Sequence, residues 1–276
     1  MADKRENFRK AMAAEGFSSE EIAEALAEVE AEGLDLESRA RHANVPALYL
    51  GVGFDDIELD DRKTAVMAAR NWSVAITTEQ DEGDDLAARR KSREQPTLEP
   101  GLLACLAKGD FSTPIPRGIY LWSDGADAGD DITGYGTGKT RIAAAVAQYV
   151  LASGKLKVRW VDIVRAMTDL NLPFRNPTYA RAADRLRPPG DCELVILDDI
   201  DKQPPTERNI QPIFALVNDC VNSQTPLLIT ANRHPDDLRQ DWGDRFGHAA
   251  SSRLMAHCLD IEVTGRDRRY DGTVAA

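Results

Sequence analysis

The chain has 276 residues, 42% hydrophobic and 29% charged, with a net charge of −12. That composition excludes a collagen-like, wholly disordered or membrane-embedded chain, and the acidic balance argues against a duplex-DNA binder that works by blanket positive charge. No uninterrupted apolar run approaches the ~20 residues of a membrane helix, and the charged start Met1-Ala2-Asp3-Lys4-Arg5-Glu6-Asn7 leads into no apolar stretch of the kind a secretion leader carries.

Residues 1–60 hold −9 of the net −12. Within them Ser18 and Glu21 have capping-box spacing, with Phe17 and Ile22 at the staple positions around it. Ile22, Leu26 and Val29 then form one helical stripe, and Gly33 is placed to end the helix. With Phe8 and Met12 four apart upstream, the spacing predicts a helical hairpin over residues 3–33. Such a hairpin is too small to bury much by itself. Its stripe packs either on the body of its own chain or on another protein. Residues 34–60, with Pro46, Gly51 and Gly53, read as a linker, and residues 61–78 as a helix. Residues 79–101 are polar and rich in breakers, which predicts a mobile loop or insertion. Its basic knot Arg89, Arg90, Lys91 and Arg93 has no aromatic interleaving, so it reads as a solvated face or as a contact for single-strand phosphates.

From residue 118 the pattern alternates. Strand-like runs at 118–122, 157–161, 193–197 and 226–230 are separated by helical runs at 139–153, 162–170 and 208–222. Continuous apolar strands alternating with helices predict an α/β fold, a parallel sheet covered on both faces. Cys105, Cys192, Cys220 and Cys258 are far apart, with no Cys-x-x-Cys pair, and read as reduced thiols of a cytoplasmic protein.

Three motifs carry the chemistry. Thr133-Gly134-Tyr135-Gly136-Thr137-Gly138-Lys139-Thr140 opens the helix at 139. Its glycines let backbone N–H groups turn toward phosphates, Lys139 can reach the β and γ phosphates, and the Thr140 hydroxyl can bind Mg²⁺. Thr133 stands where the strict pattern has Gly, and an acidic stretch, 123–131, separates the loop from the strand before it. Second, Leu194-Val195-Ile196-Leu197-Asp198-Asp199 is an apolar strand ending in two carboxylates. Asp198 suits Mg²⁺ held through water, and Asp199 suits orienting or deprotonating an attacking water. Third, Asn232 follows the strand Pro226-Leu227-Leu228-Ile229-Thr230, where its amide can reach the γ-phosphate or the lytic water.

Together these elements resemble the AAA+ ATPases of the DnaC/DnaI helicase-loader group and its transposon relative IstB. The similarity runs over roughly residues 43–270, from Asn44-Val45-Pro46-Ala47-Leu48-Tyr49 through Asp198-Asp199-Ile200 and Thr230-Ala231-Asn232 to Ser251-Ser252-Arg253-Leu254-Met255 and Ile261-Glu262-Val263-Thr264-Gly265. The resemblance implies a P-loop NTPase fold of AAA+ type, a three-layer parallel sheet preceded by the small N-terminal helical hairpin. The chain then divides into an acidic region at 1–42 that is expected to dock a partner, an ATPase domain at 43–270 with a charged insertion near 79–115, and a tail at 271–276. It further implies nucleotide binding by Gly134, Tyr135, Gly136, Thr137, Gly138, Lys139 and Thr140, Mg²⁺ on Thr140 and Asp198, and hydrolysis by Asp199 and Asn232. Arg253 maps to an arginine finger that serves a neighbouring subunit, with Arg245 the second candidate. The expected function is an ATP-hydrolysing replicative-helicase loader in DNA replication, bacterial or phage. It would assemble with ATP into a homo-oligomer, engage a helicase through residues 1–42 and contact single-stranded DNA. The alternatives are an IstB-like transposition helper, which the net charge of −12 disfavours, and a regulatory protein that binds ATP without hydrolysing it.

Overall fold

The computed structural model describes residues 35–78, 101–112, 115–123, 136–190, 192–204, 206–265 and 267. The predicted hairpin over 3–33, the loop at 79–100, the acidic stretch beyond Ser123, and Gly134 and Tyr135 of the phosphate loop all lie outside the described residues.

Five short strands form one sheet: β1 (Gly118–Trp122), β2 (Val158–Asp162), β3 (Leu194–Asp198), β4 (Leu227–Thr230) and β5 (Cys258–Glu262). Their order is β2-β3-β4-β1-β5, and every pairing is parallel. Side chains alternate between the faces of a strand, and here both faces are buried. Ile119, Leu121, Leu194, Ile196 and Leu228 share one core with α1 (Lys63–Thr78), α2 (Leu102–Lys108) and α3 (Lys139–Ser153). Tyr120, Val195, Leu197, Leu227 and Ile229 share the other with α4 (Ile163–Leu170), α6 (Glu207–Ser223) and α8 (Gly243–His257). Two short helices, α5 (Pro177–Arg185) and α7 (Leu238–Asp241), complete the order. This is the expected three-layer α/β sandwich. Among the described residues no helix is long and apolar enough to cross a membrane.

Local chemistry explains the elements nearest the site. α3 is rich in alanine on its buried side, Ala143, Ala144, Ala145 and Ala147, so it lies close on the sheet. It starts after Gly138 at φ 99° and ends at Gly154 at φ 72°, two left-handed positions that glycine takes at little cost. The Asp162 side chain caps α4 by accepting from Arg165 N at 2.9 Å. α1 is tied to its surroundings by buried polar contacts: Trp72 Nε1 donates to Pro116 O at 2.9 Å and Asn71 Nδ2 to Leu106 O at 2.8 Å.

Two expectations need correcting. Residues 34–60 are not a linker, because residues 35–42 are helical and Ala40, Ala43, Val45, Phe54 and Ile57 are buried in the first core. Trp160 N donates to Ala43 O at 2.7 Å, which fastens this segment to edge strand β2. The strands predicted at 157–161 and 193–197 also run one residue later, because Asp162 and Asp198 are paired across the sheet rather than in loops.

Candidate nucleotide site

The site lies at the carboxyl ends of β1, β4 and β3, adjacent in that order in the sheet. The chain leaves β1 for the far edge strand β2 and returns through β3 and β4, so this is where the strand order reverses, the usual place for a ligand in an open parallel sheet.

The phosphate loop follows β1. Gly136 and Gly138 have φ of 67° and 99°, so both glycines are used for their backbone freedom. Lys139 is 6% exposed, and its Nζ donates to the Ser123 hydroxyl at the end of β1. Thr137, one of the expected site residues, is buried beside it, as is Ser123, which was not foreseen as part of the site.

β3 delivers Asp198, 6% exposed, to the loop. Its Oδ1 accepts from Thr140 Oγ1 at 3.0 Å and from Thr230 Oγ1, at the end of β4, at 2.7 Å. Burial, and then the neighbouring Asp199, push the Asp198 carboxyl up to about pKa 6, while the two threonine hydrogen bonds act the other way. Thr140 and Asp198 thus form a pair of hard oxygen donors around a carboxylate whose charge is incompletely compensated. That donor set fits a small divalent cation.

Asp199 departs from ordinary geometry. Its φ is 59°, in the left-handed region, and its carboxylate pairs with Lys202 at 2.7 Å. Its N–H donates to Thr230 Oγ1 at 2.9 Å, and Ile200 N donates to Thr230 O at 3.1 Å. Asp201, which the motif reading passed over, accepts from Asn232 N at 2.7 Å through Oδ2. Its other oxygen is buried with no hydrogen-bond partner, and burial pushes its pKa up. Residues 198–201 and 230–232 are therefore bonded as one unit. Thr230 is its hinge point, and only its position in the strand was visible in the sequence.

Among the expected site residues described, Lys139, Thr140 and Asp198 come together, with Asp199 and Asn232 in the adjoining turns. Arg253 does not join them within the chain. It sits on α8, where Nη1 donates to Ala249 O at 3.1 Å and the guanidinium lies 5.4 Å from the Phe214 ring of α6. Arg245, also on α8, is exposed and pairs with Glu207. One buried cation was missed altogether: Arg62, 3% exposed, whose Nη1 donates to Thr137 O of the phosphate loop at 3.0 Å. No motif spacing signals it, since 75 residues separate the partners.

The fold is similar to that of DnaI, at 17% identity and TM-score 0.53, over 83% of this chain and 100% of that one. It is similar as well to a putative primosome component from Streptococcus pyogenes serotype M3, at 15% identity and TM-score 0.51, over 81% and 92%. A curated relative, the chromosomal replication initiator protein DnaA of Nautilia profundicola, is 28% identical over 129 residues, 47% of this chain and only 28% of that protein's length. The family model of the IstB-like ATP binding protein matches residues 131–275, just over half of the chain, from the phosphate loop through β5. The chain belongs to the IstB-like ATP-binding family, on an AAA+ type P-loop fold.

Proposed function

We propose that the protein hydrolyses ATP with Mg²⁺ and uses the cycle to act on the DNA-replication machinery as a helicase loader. The carrying observation is Asp198, buried between Thr140 of the phosphate loop and Thr230 of β4. It is a carboxylate held where a cation on the nucleotide would need it.

Each residue has a part in that reading. The loop amides and Lys139 bind the phosphates, and Lys139 exchanges Ser123 for them. Thr140 and Asp198 hold the cation, which when bound supplies positive charge to the phosphate oxygens. Asn232, fixed through its N–H by Asp201, presents its amide toward the γ-phosphate. Asp199 orients the attacking water, which requires it to leave Lys202 when nucleotide binds. Arg253 leaves Phe214 to complete a neighbouring subunit's site, so turnover depends on assembly. A head-to-tail contact of this kind builds rings or open helices.

Replication is favoured over transposition by the names of the relatives, an initiator, a primosome component and DnaI, and by the net charge of −12. Contact with single-stranded DNA is supported by one segment of the chain. Between residues 163 and 190 there are five arginines and two aspartates. Phe174 there is 81% exposed and lies 5.3 Å from the Tyr179 ring, flanked by exposed Arg175 and Arg181. Aromatic platforms among arginines suit unpaired bases. The acidic segment 1–42 is the proposed helicase contact.

The test is ATP turnover by the whole chain, alone, with single-stranded DNA, and with a replicative helicase. Turnover that rises with protein concentration and with DNA, and that is lost in Lys139→Ala together with ATP binding, is expected. ATP binding without turnover under every condition would favour the non-hydrolysing regulatory protein instead.

A further inference from the structure

Arg62 ends the turn that leads into α1, outside the stretch that the family model matches. Its guanidinium is 3% exposed. Nη1 donates to Thr137 O at 3.0 Å, Nη2 donates to Glu58 O at 2.9 Å, and Nε lies 3.6 Å from Asp60 Oδ1. The approach to the phosphate loop is close: a Cβ on Gly138 would stand 2.3 Å from Arg62 Nη1. A side chain at 138 therefore has to displace the guanidinium, and the glycine there serves Arg62 as well as the φ of 99°.

The consequence follows from peptide geometry. In a trans peptide the C=O and the next N–H point in opposite directions. Holding Thr137 O against Arg62 turns the Gly138 N–H to the other side of the loop, where an anion at the start of α3 would be met. A buried guanidinium also keeps its charge at any working pH and is poorly screened by water. Asp60, whose side chain is 47% exposed, lies beside it.

We propose that Arg62 is a positioning residue for nucleotide binding: from behind the phosphate loop it fixes the 137–138 peptide and adds positive potential, so that it strengthens binding in proportion to the phosphates on the ligand. The inference rests on the nucleotide site proposed above and adds a contribution from the segment before α1.

The experiment is calorimetric titration of ATP, ADP and adenosine into the full chain and its Arg62→Gln and Arg62→Lys variants. Arg62→Gln should weaken ATP about tenfold, ADP less, and leave adenosine within about twofold, as expected for one charge-assisted hydrogen bond and its field. Arg62→Lys, which keeps the charge without the fork, should fall between. Equal losses for all three ligands, or no loss for ATP, would overturn the proposal. Should neither variant fold, the unsubstituted chain still decides. The Arg62 Nε–H resonance should shift on saturation with pyrophosphate, and an unmoved resonance would overturn the proposal. Failure of the unsubstituted chain to bind ATP would overturn the nucleotide site and this inference together, whereas normal ATP binding unaffected by Arg62→Gln would remove only Arg62.

Discussion

The two ends of the sheet bury ionisable groups in opposite ways. At the amino ends of the strands lie Cys192, Cys220, His257 and Cys258, all buried. Burial pushes the Cys220 and Cys258 thiols up and the His257 imidazole down to about 4, so at neutral pH each stays uncharged. His257 Nε2 lies 3.2 Å from Thr225 O, its Nδ1 is buried with no hydrogen-bond partner, and Arg117 further disfavours the imidazolium. At the carboxyl ends Asp198 is buried just as deeply but titrates near 6, so at neutral pH it is mostly ionised. One end keeps these buried ionisable groups neutral. The other keeps a charge that packing does not compensate, as a site awaiting a cation and phosphates would.

The largest expected effect comes from making the carboxyl end resemble the amino end. Asp198→Asn should lower ATP turnover by roughly 10²-fold or more, since it removes the charge facing the nucleotide's cation. The same change should stabilise the nucleotide-free protein by about 1–3 kcal/mol at pH 7.5, because the folded chain no longer ionises a group whose pKa is raised. Parallel turnover and thermal melting check both signs. A variant that is both inactive and less stable would mean that Asp198 is a packing residue.

Thr230→Val comes next. It deletes the hydroxyl that bonds both Asp198 Oδ1 and Asp199 N, leaving a buried carboxylate with one partner fewer. A stability loss of about 1–2 kcal/mol is expected, with a fall in kcat larger than any rise in KM for ATP. A matched fall in stability with unchanged kcat would show that the 198–201 and 230–232 turns need not be latched for turnover.

The pH dependence sets the two ends against each other. Asp198 has a raised pKa, so its contribution to stability is fully present below the unfolded value near 3.8 and is lost as pH rises through about 6. His257 has a depressed pKa, so its contribution is present above 6.5 and is lost as pH falls toward about 4. Over the shared window, about 4 to 6, the two slopes oppose. Denaturant melts of Asp198→Asn should therefore lose stability on acidification more steeply than those of the parent, and His257→Phe should do the reverse.

Cys258→Ala should have the smallest effect on function. It should lower stability by about 1–2 kcal/mol through the space left beside Gly118. ATP affinity should stay within about twofold. A large loss of affinity would mean that the two ends are coupled through β1 and β5.

Much of this contrast was legible in the sequence, and the parts that were not share a cause. Apolar runs and the order of the three motifs placed β1, β3, β4 and α3, and with them Lys139, Thr140 and Asp198. Period and spacing carry that much because each motif is local. Helix α5 escaped notice because it is polar, with Ala182 its only buried residue. The segment at 34–60 was misread because Pro46, Gly51 and Gly53 are breakers by type, although Phe54 and Ile57 around them are buried. Arg62, Ser123 and Thr230 acquire their roles only through partners 75, 16 and 32 residues away. Asp201, which lies just beyond the paired carboxylates, likewise acquires its role through Asn232, 31 residues away.

The most direct measurement is the titration of the Asp198 side chain itself, followed by carbon-13 NMR of labelled aspartates between pH 4 and 8 and assigned with Asp198→Asn. In the nucleotide-free chain its midpoint should lie near 6, and Mg²⁺ with a non-hydrolysable ATP analogue should hold it ionised across most of that range. An Asp198 midpoint near the ordinary carboxylate value of about 3.9, or one that does not move with Mg²⁺ and nucleotide, would contradict the assignment of this end of the sheet as the ATP site.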